Sequence, residues 1–598
     1  MSNFTKEKYF FVIDSDSLEK TEPYLYGFSI IDNCLVTNDN LNDRELSGEG
    51  SYVNIVRRGE QIVIQQDSLG SHGLYYFSEG GYFAISNSFW MLVDRVKTVG
   101  KLSLNKRFAD AFLSKGICTF AFSETLINEI KRLDRSVEVY IDTKTKSVST
   151  KMLPLQENTV DIGAKEGIEL LDRWYEKWTS LIHGLICRGE SVKVDLSGGF
   201  DTRIVLTLFL HPDINLAKIR IQSNTDNLYS HSEDFKIASQ IAEKFGFSLN
   251  TDPQSKVDYS NNTMEEIFNI SFNNQLGFHK EMHWKQHSAD HRGFYFSGAG
   301  GGTMRSGGWP QKNVYIRRET NKAKELPHSL RPEVSASIIS LVDDAYKSTV
   351  DKYRNAGREV AEYDLTRYMY RETRNSVHFG KPIYDDYIGG NYQMCPCLDP
   401  DLQKLKLSSG ECNDGNLLMA LIYIRYGKGI LDFPIQGGRT IAPETIAYAE
   451  SINNRYPYEY KRILKKEEKT TKVADNNTVS STRPLIEEQQ IFDKLEDMFY
   501  SYDIKDTINR LYGKKLYKHI CYAINNTEFH KYVMANAGIA IYLADKAVQE
   551  SNSTGTDKYE DAISSLFSLK PIAQSKRYRP KNNTYRKVLR ALERKLFK

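Results

Sequence analysis

The run VKVDLSGGFDTRIVLTLFL, Val192 to Leu210, holds residue types and spacings that could do chemistry. A strand-like VKVDL ends at Leu196, passes through Ser197, Gly198 and Gly199, and enters an apolar helix from Asp201. Glycines let the backbone turn tightly, so that successive N–H groups face one concavity, and the start of the helix adds its partial positive charge. That combination suits a phosphate. The hydroxyls of Ser197 and Thr202 add donors. Asp201 sits where an anion site repels a carboxylate, which makes sense if it holds a hard cation such as Mg²⁺ that bridges to phosphate oxygens. It is also placed to be an ordinary helix-start acid complementing the dipole. Strand, glycines, aspartate and helix together favour the functional reading over either glycine alone.

Several elements must position this loop. VKVDL (192–196), a helix from Asp201, KIRIQS (218–223), a helix from Glu233 to Phe245 and GFYFS (293–297) alternate strand with helix, which predicts a doubly wound parallel α/β sheet. Before it, Ile168, Leu171, Trp174, Trp178 and Ile182 recur at helical spacing. Residues 8–150 instead carry short alternating runs (YFFVID, YLYGFSII, YVNIVRRG, QIVIQQD, GLYYFSE, YFAISNS, VEVYIDT) between turn-rich pieces, the rhythm of antiparallel strands. Beyond residue 440 the chain reads as helical and polar, interrupted by a linker at 465–484 too polar to bury itself. The expected units are a β-rich α+β domain over 1–155, the α/β domain over 156–440 and a helical region over 441–598.

Composition narrows the classes. With 598 residues, a net charge of +3 and 40% apolar residues, the chain reads as an ordinary folded protein, not a disordered one or a bulk nucleic-acid coat. No apolar run reaches the roughly 18–20 residues that span a bilayer, and the first residues lack the pattern of a secretory signal, so a cytoplasmic location is expected. Seven sparse cysteines, Cys395 and Cys397 included, read as thiols. The last 23 residues, 576–598, hold ten Lys or Arg and one acid, Glu593, with Val588, Leu589, Leu592 and Leu596 at helical spacing. That tail suits an amphipathic helix on an anionic membrane surface or on RNA, and equally a solvated terminal helix docked by its leucines.

LSGGFDTR resembles the SGGxDS pyrophosphate loop of ATP pyrophosphatases, in particular asparagine synthetase and its relatives, with Thr202 in place of the usual serine. SEDFKIASQIAEKFGF (232–247) is similar to that family's helix after its adenine-contacting strand. FYFSGAGGGTMRSGGW (294–309) sits where the family has a second glycine-rich loop, and CLDPDLQKL (397–405) resembles its FLDPEL stretch. DSLGSHGLYYFSEGGYFAISNS (67–88) looks like its glutaminase-type segment. The similarity spans roughly residues 8–440, and the first loop is its most specific part. The resemblance implies an adenine nucleotide α-hydrolase-like domain behind a domain resembling an Ntn (N-terminal nucleophile) glutaminase. It implies ATP and Mg²⁺ as cofactors, Leu196, Ser197, Gly198, Gly199, Asp201, Thr202, Ser297 and Gly298 as nucleotide contacts, and Asp201 as metal ligand.

The chain also departs from that family. Glutamine-hydrolysing members use an N-terminal cysteine, whereas the first cysteine here is Cys34, and Ser2 lies on a lead with no fixed base. The first domain is therefore expected to be a scaffold without glutaminase activity. In the second loop Ala299, Gly302 and Thr303 replace carboxylates. Arg305 is a candidate to contact phosphate or a substrate carboxylate, and equally a surface arginine in a turn. Lys428 is a candidate to balance charge on departing pyrophosphate, and Asp195 and Asp234 flank the site in sequence. The implied activity is an amide-forming ligase acting through an acyl-adenylate, taking nitrogen from ammonia, a partner glutaminase or an amino group. Its variants suggest amidation of uronic acids or amino-acid substituents of bacterial surface polysaccharides. A nucleotide- or partner-binding descendant without catalysis and an RNA-modifying ATP pyrophosphatase are the alternatives, and a nucleic-acid partner is not favoured.

Overall fold

A computed structural model describes residues 6–41, 46, 49–114, 123–155, 159–225, 229–250, 262–278, 293–305, 309–406, 414–427, 429–463, 486–526, 532–553, 561–573 and 577. The chain is α+β, with a β-rich N-terminal region and a helical C-terminal region. Residues 1–5, Lys428, the linker 465–484 and all of the basic tail except Arg577 lie outside the described residues.

The alternating runs of the N-terminal region form two antiparallel sheets. One has the strand order Val12–Asp14, Tyr82–Ser86, Tyr75–Glu79, Ile130–Arg132. The other runs Val148–Met152, Val137–Asp142, Gln61–Gln66, Gly50–Arg58, Tyr24–Ile31, Cys34–Val36. Ile13, Phe83 and Ile85 of the smaller sheet share one core with Val53, Ile55, Ile62, Ile64, Val139 and Ile141 of the larger. The period of two puts every second residue there and turns Gln65 and Glu138 the other way.

The α/β region has a four-stranded, wholly parallel sheet in the order Arg220–Gln222, Val192–Asp195, Gly293–Phe296, Asn391–Met394. Val194 pairs with Ile221 on one side and with Phe296 on the other. The chain therefore leaves Val192–Asp195, adds a strand to one side, and returns to add the next on the other. Strand order reverses between Val192–Asp195 and Gly293–Phe296, the position at which open α/β sheets usually bind ligands. Trp174 and Trp178 of helix Lys165–Cys187 pack on the sheet with Leu206 and Phe209 of helix Phe200–Phe209 and Ile422 of helix Leu417–Tyr426. The fourth strand, NYQM, was not legible from pattern, because four residues are too short a run for a period of two to stand out.

Two parts of the C-terminal region pack in different places. Helix Pro443–Arg455 joins the core around the parallel sheet through Ala449 and Ile452. Helices Glu488–Phe499, Tyr502–Tyr512, Lys514–Asn526 and Val533–Ser551 instead share a core with helices Phe89–Val96 and Lys106–Leu113 of the N-terminal region. Lys97 pairs with Glu550 at 2.9 Å, and the Asn552 side-chain amide donates to the Leu102 carbonyl at 3.1 Å. Arg577, at the start of the basic tail, pairs with Asp497 and lies over the Tyr500 ring. Among the described residues no helix is long and apolar enough to cross a membrane. The described cysteines, Cys34, Cys187, Cys395, Cys397 and Cys521, are free thiols.

Candidate functional site

The first loop leaves the sheet at Leu196, whose N–H donates to the Gln222 carbonyl at 2.8 Å, and Gly199 caps helix Phe200–Phe209 without a side-chain bond. Its amides are already engaged. The N–H of Ser197 donates to Thr202 Oγ1 at 2.9 Å, that of Gly198 to Asp234 Oδ1 at 2.7 Å, and that of Gly199 to Ser197 Oγ at 3.1 Å. The expected cradle of free amides is thus closed by short polar side chains, as hydroxyls and carboxylates beside a tight turn tend to do. What remains for an anion is the first turn of the helix, whose N–H groups have no intrahelical partner. Asp234 here serves the loop as a bound carboxylate would. Its other oxygen accepts from Gln436 Nε2 at 3.1 Å, and burial raises its pKa.

Asp201 lies where the two glycine-rich loops meet. Its Oδ1 is buried and has no hydrogen-bond partner. Desolvation raises its pKa, while the nearby charges of Arg305 and Arg439 pull it down. The second loop follows strand Gly293–Phe296, and its glycines permit this contact. A methyl group on Gly301 would stand 2.5 Å from Asp201 Cγ, and one on Gly298 2.8 Å from the Asp201 carbonyl carbon. Gly300 has φ +84°, where other residues are strained, and it lies against Leu398. Ser297 is held from beneath, its N–H donating to the Met394 carbonyl at 3.0 Å and its Oγ accepting from Gln393 Nε2 at 3.0 Å. Strand Asn391–Met394 thus braces this loop at Ser297 and Leu398 braces it at Gly300, while Asp399 anchors the segment Cys397–Leu405 by accepting from Trp178 Nε1 at 2.7 Å.

Cations gather around Phe200. Arg305 and Arg439 lie over its ring at 5.5 and 5.3 Å from the centroid, and both act on Asp201. Sequence reasoning passed over Arg439 because 238 positions separate it from Asp201; the only local signal was Gly437-Gly438 before it, both at positive φ. Arg203, 1% exposed, ties this second segment to the first loop by donating to the carbonyls of Gly198, Phe433 and Pro434. Tyr423 donates to the Phe200 carbonyl at 2.6 Å. Of the flanking carboxylates, Asp234 reaches the loop, whereas Asp195 accepts from Tyr295 at the end of its own strand. The candidate Lys428 lies outside the described residues.

The residues fit a divalent ion held by one protein carboxylate. Among the described residues no group of three or more His, Cys, Asp or Glu is gathered for a metal, so Asp201 is the donor in question, and its bare Oδ1 suits a hard cation. A single carboxylate suits Mg²⁺, which keeps waters and takes further ligands from phosphates. No known family model matches the chain, and no curated protein matches it.

Proposed function

We propose that the chain is an ATP-dependent ligase that activates a carboxylate as an acyl-adenylate and delivers it to an amine or ammonia. The observation that carries this reading is Asp201, a carboxylate with one buried, unpartnered oxygen at the meeting of two glycine-rich loops. Those loops leave neighbouring parallel strands at the point where strand order reverses, the usual ligand crevice of an open α/β sheet.

Each residue has a physical role in this scheme. Asp201 would hold Mg²⁺, which when bound supplies charge neutralisation on phosphate oxygens. Arg305 and Arg439 bring guanidinium charge to the same edge, suited to the pyrophosphate that leaves. Gly298 and Gly301 let the second loop close on Asp201 without a side chain between. A carboxylate oxygen of the substrate bonds to the α-phosphorus of ATP as the bond to pyrophosphate breaks. Nitrogen then bonds to the acyl carbon, AMP leaves, and the nitrogen's proton passes to solvent. The acyl substrate is a uronic acid or an amino-acid substituent of a surface polysaccharide, and nitrogen comes from ammonia, a partner glutaminase or a second substrate. The basic tail gives the protein a cytoplasmic station at an anionic membrane surface.

The test is ATP–pyrophosphate exchange across amino acids, uronic acids and nucleotide-linked uronic acids, native against Asp201→Ala. Exchange with one class of acid, lost in the variant, is expected. A second reading, a nucleotide- or partner-binding protein without catalysis, is favoured by the closed amides of Ser197, Gly198 and Gly199 and by Ala299, Gly302 and Thr303 standing where the resemblance implies carboxylates. ATP binding with no exchange for any acid would select it.

A further inference from the structure

A cavity of about 350 Å³ lies between the outward face of the six-stranded sheet, helix Glu362–Thr373 with its continuation, and the segment that braces the second loop. That volume falls within the range of small-ligand sites. Leu398 belongs to both settings, lining the cavity and touching Gly300. One wall is apolar, with Leu69, Leu153 and Leu155. Arg371, 5% exposed, and Asn375, 1% exposed, also line the cavity.

Asn375 is the informative residue. Its Oδ1 is buried with no hydrogen-bond partner, although the side chain lines a space large enough to hold one. A buried carbonyl oxygen left without a donor is unfavourable, so filling that position with a ligand N–H or O–H is favourable. The backbone around it is unusual too. A single π-helical turn, Ser376–Gly380, follows Asn375 directly, and such turns occur often at functional sites. Gly380 lets that turn press on the N-terminal region, since a methyl group there would stand 2.6 Å from Ser71 Cα. The far wall is fixed: Arg135 is bound to Glu372 and to the Ser68 carbonyl, and Glu138 accepts from Gln65 and Tyr140.

We infer that this cavity binds a small carboxylic acid bearing a hydroxyl or amino donor close to its carboxylate, with Arg371 facing the carboxylate and Asn375 Oδ1 accepting from the donor. Amino acids and uronic acids share that chemistry. The inference does not rest on the ligase reading, because binding at this place needs neither nucleotide nor turnover.

The experiment is calorimetry on the full chain without nucleotide, using aspartate, glutamate, glutamine, glucuronate and galacturonate. Succinate, a carboxylate without the donor, and glucose, donors without the carboxylate, are the comparisons. One of the two acid classes should bind at least about tenfold more tightly than succinate and glucose, and the class that binds identifies the source. Asn375→Leu should weaken that binding about tenfold without lowering Tm, since it removes a partnerless oxygen at similar volume. Leu155→Trp fills the cavity from the apolar side and should abolish binding, and it carries the test if Asn375→Leu folds poorly. No binding by any acid, or binding that survives both substitutions, overturns the inference.

Discussion

Two buried charges in this molecule suffer the same desolvation and resolve it differently. Asp201 sits between two loops with a bare oxygen and with Arg305 and Arg439 nearby. Lys381 is sealed between the N-terminal region and the α/β region, fully buried, and donates to the His72 carbonyl. Its pKa falls to about 7, by burial and then by the neighbouring charge of Arg132. Burial pushes the lysine toward its neutral form. The aspartate, where the two glycine-rich loops meet, instead keeps a buried oxygen without a partner and two arginine charges nearby. Desolvation alone therefore does not mark a site.

The sharpest way to break this contrast is Asp201→Asn. Exchange activity should fall by about 100-fold or more, the scale of losing a group that acts on the transition state. The unliganded protein should nonetheless gain Tm at neutral pH. The folded-state pKa of Asp201 is raised, so its ionisation above that pKa costs stability, and the advantage of asparagine should vanish as pH falls below it. An Asn variant melting below the native protein at pH 7 would deny that the carboxylate is strained.

Gly301→Ala should come next, at about 1–3 kcal/mol of destabilisation by overpacking together with loss of exchange, because the added methyl meets Asp201. Gly302→Ala beside it is the control. There the nearest neighbour is the Arg305 guanidinium at 3.8 Å, and denaturant midpoints should hardly move.

Lys381→Met tests the sealed charge. Between pH 7 and about 10.5 the unfolded chain takes up a proton that the folded chain refuses, so native stability should rise with pH across that window. The methionine variant should be the more stable protein at pH 7, with the difference shrinking toward pH 10 in urea titrations. A parallel pair of stability curves would show that the lysine is charged in the fold. The smallest effect belongs to Arg439→Ala. This exposed side chain should leave Tm unchanged while raising the KM for ATP several-fold, the signature of lost binding rather than lost folding.

Much of the candidate site could be read from sequence because it is local. Strand, glycines, Asp201 and the following helix occupy Val192–Phe209, and the strand–helix alternation required the parallel sheet that holds them. Partners brought in by tertiary contact escaped. Asp234 reaches Gly198 from 36 positions away, and Arg203 stitches the loop to Phe433 and Pro434. Asn375 gave no signal at all, since a buried carboxamide has no periodicity of its own. The hydroxyls of Ser197 and Thr202 were read as donors to a ligand, whereas the fold spends Thr202 on the Ser197 amide, because a short side chain next to a turn meets backbone first.

The helices 488–551 close back on the strands and helices of the opening 113 residues, through Lys97 with Glu550 and Leu102 with Asn552. Sequence order is thus a poor guide to where scissors should go. An expression fragment stopping near residue 440 would bare the flanks of Phe89, Trp90, Phe108 and Phe112 to solvent, a greasy surface that drives self-association. A shortened chain should keep helices Glu488–Phe499, Tyr502–Tyr512, Lys514–Asn526 and Val533–Ser551 together with the N-terminal region.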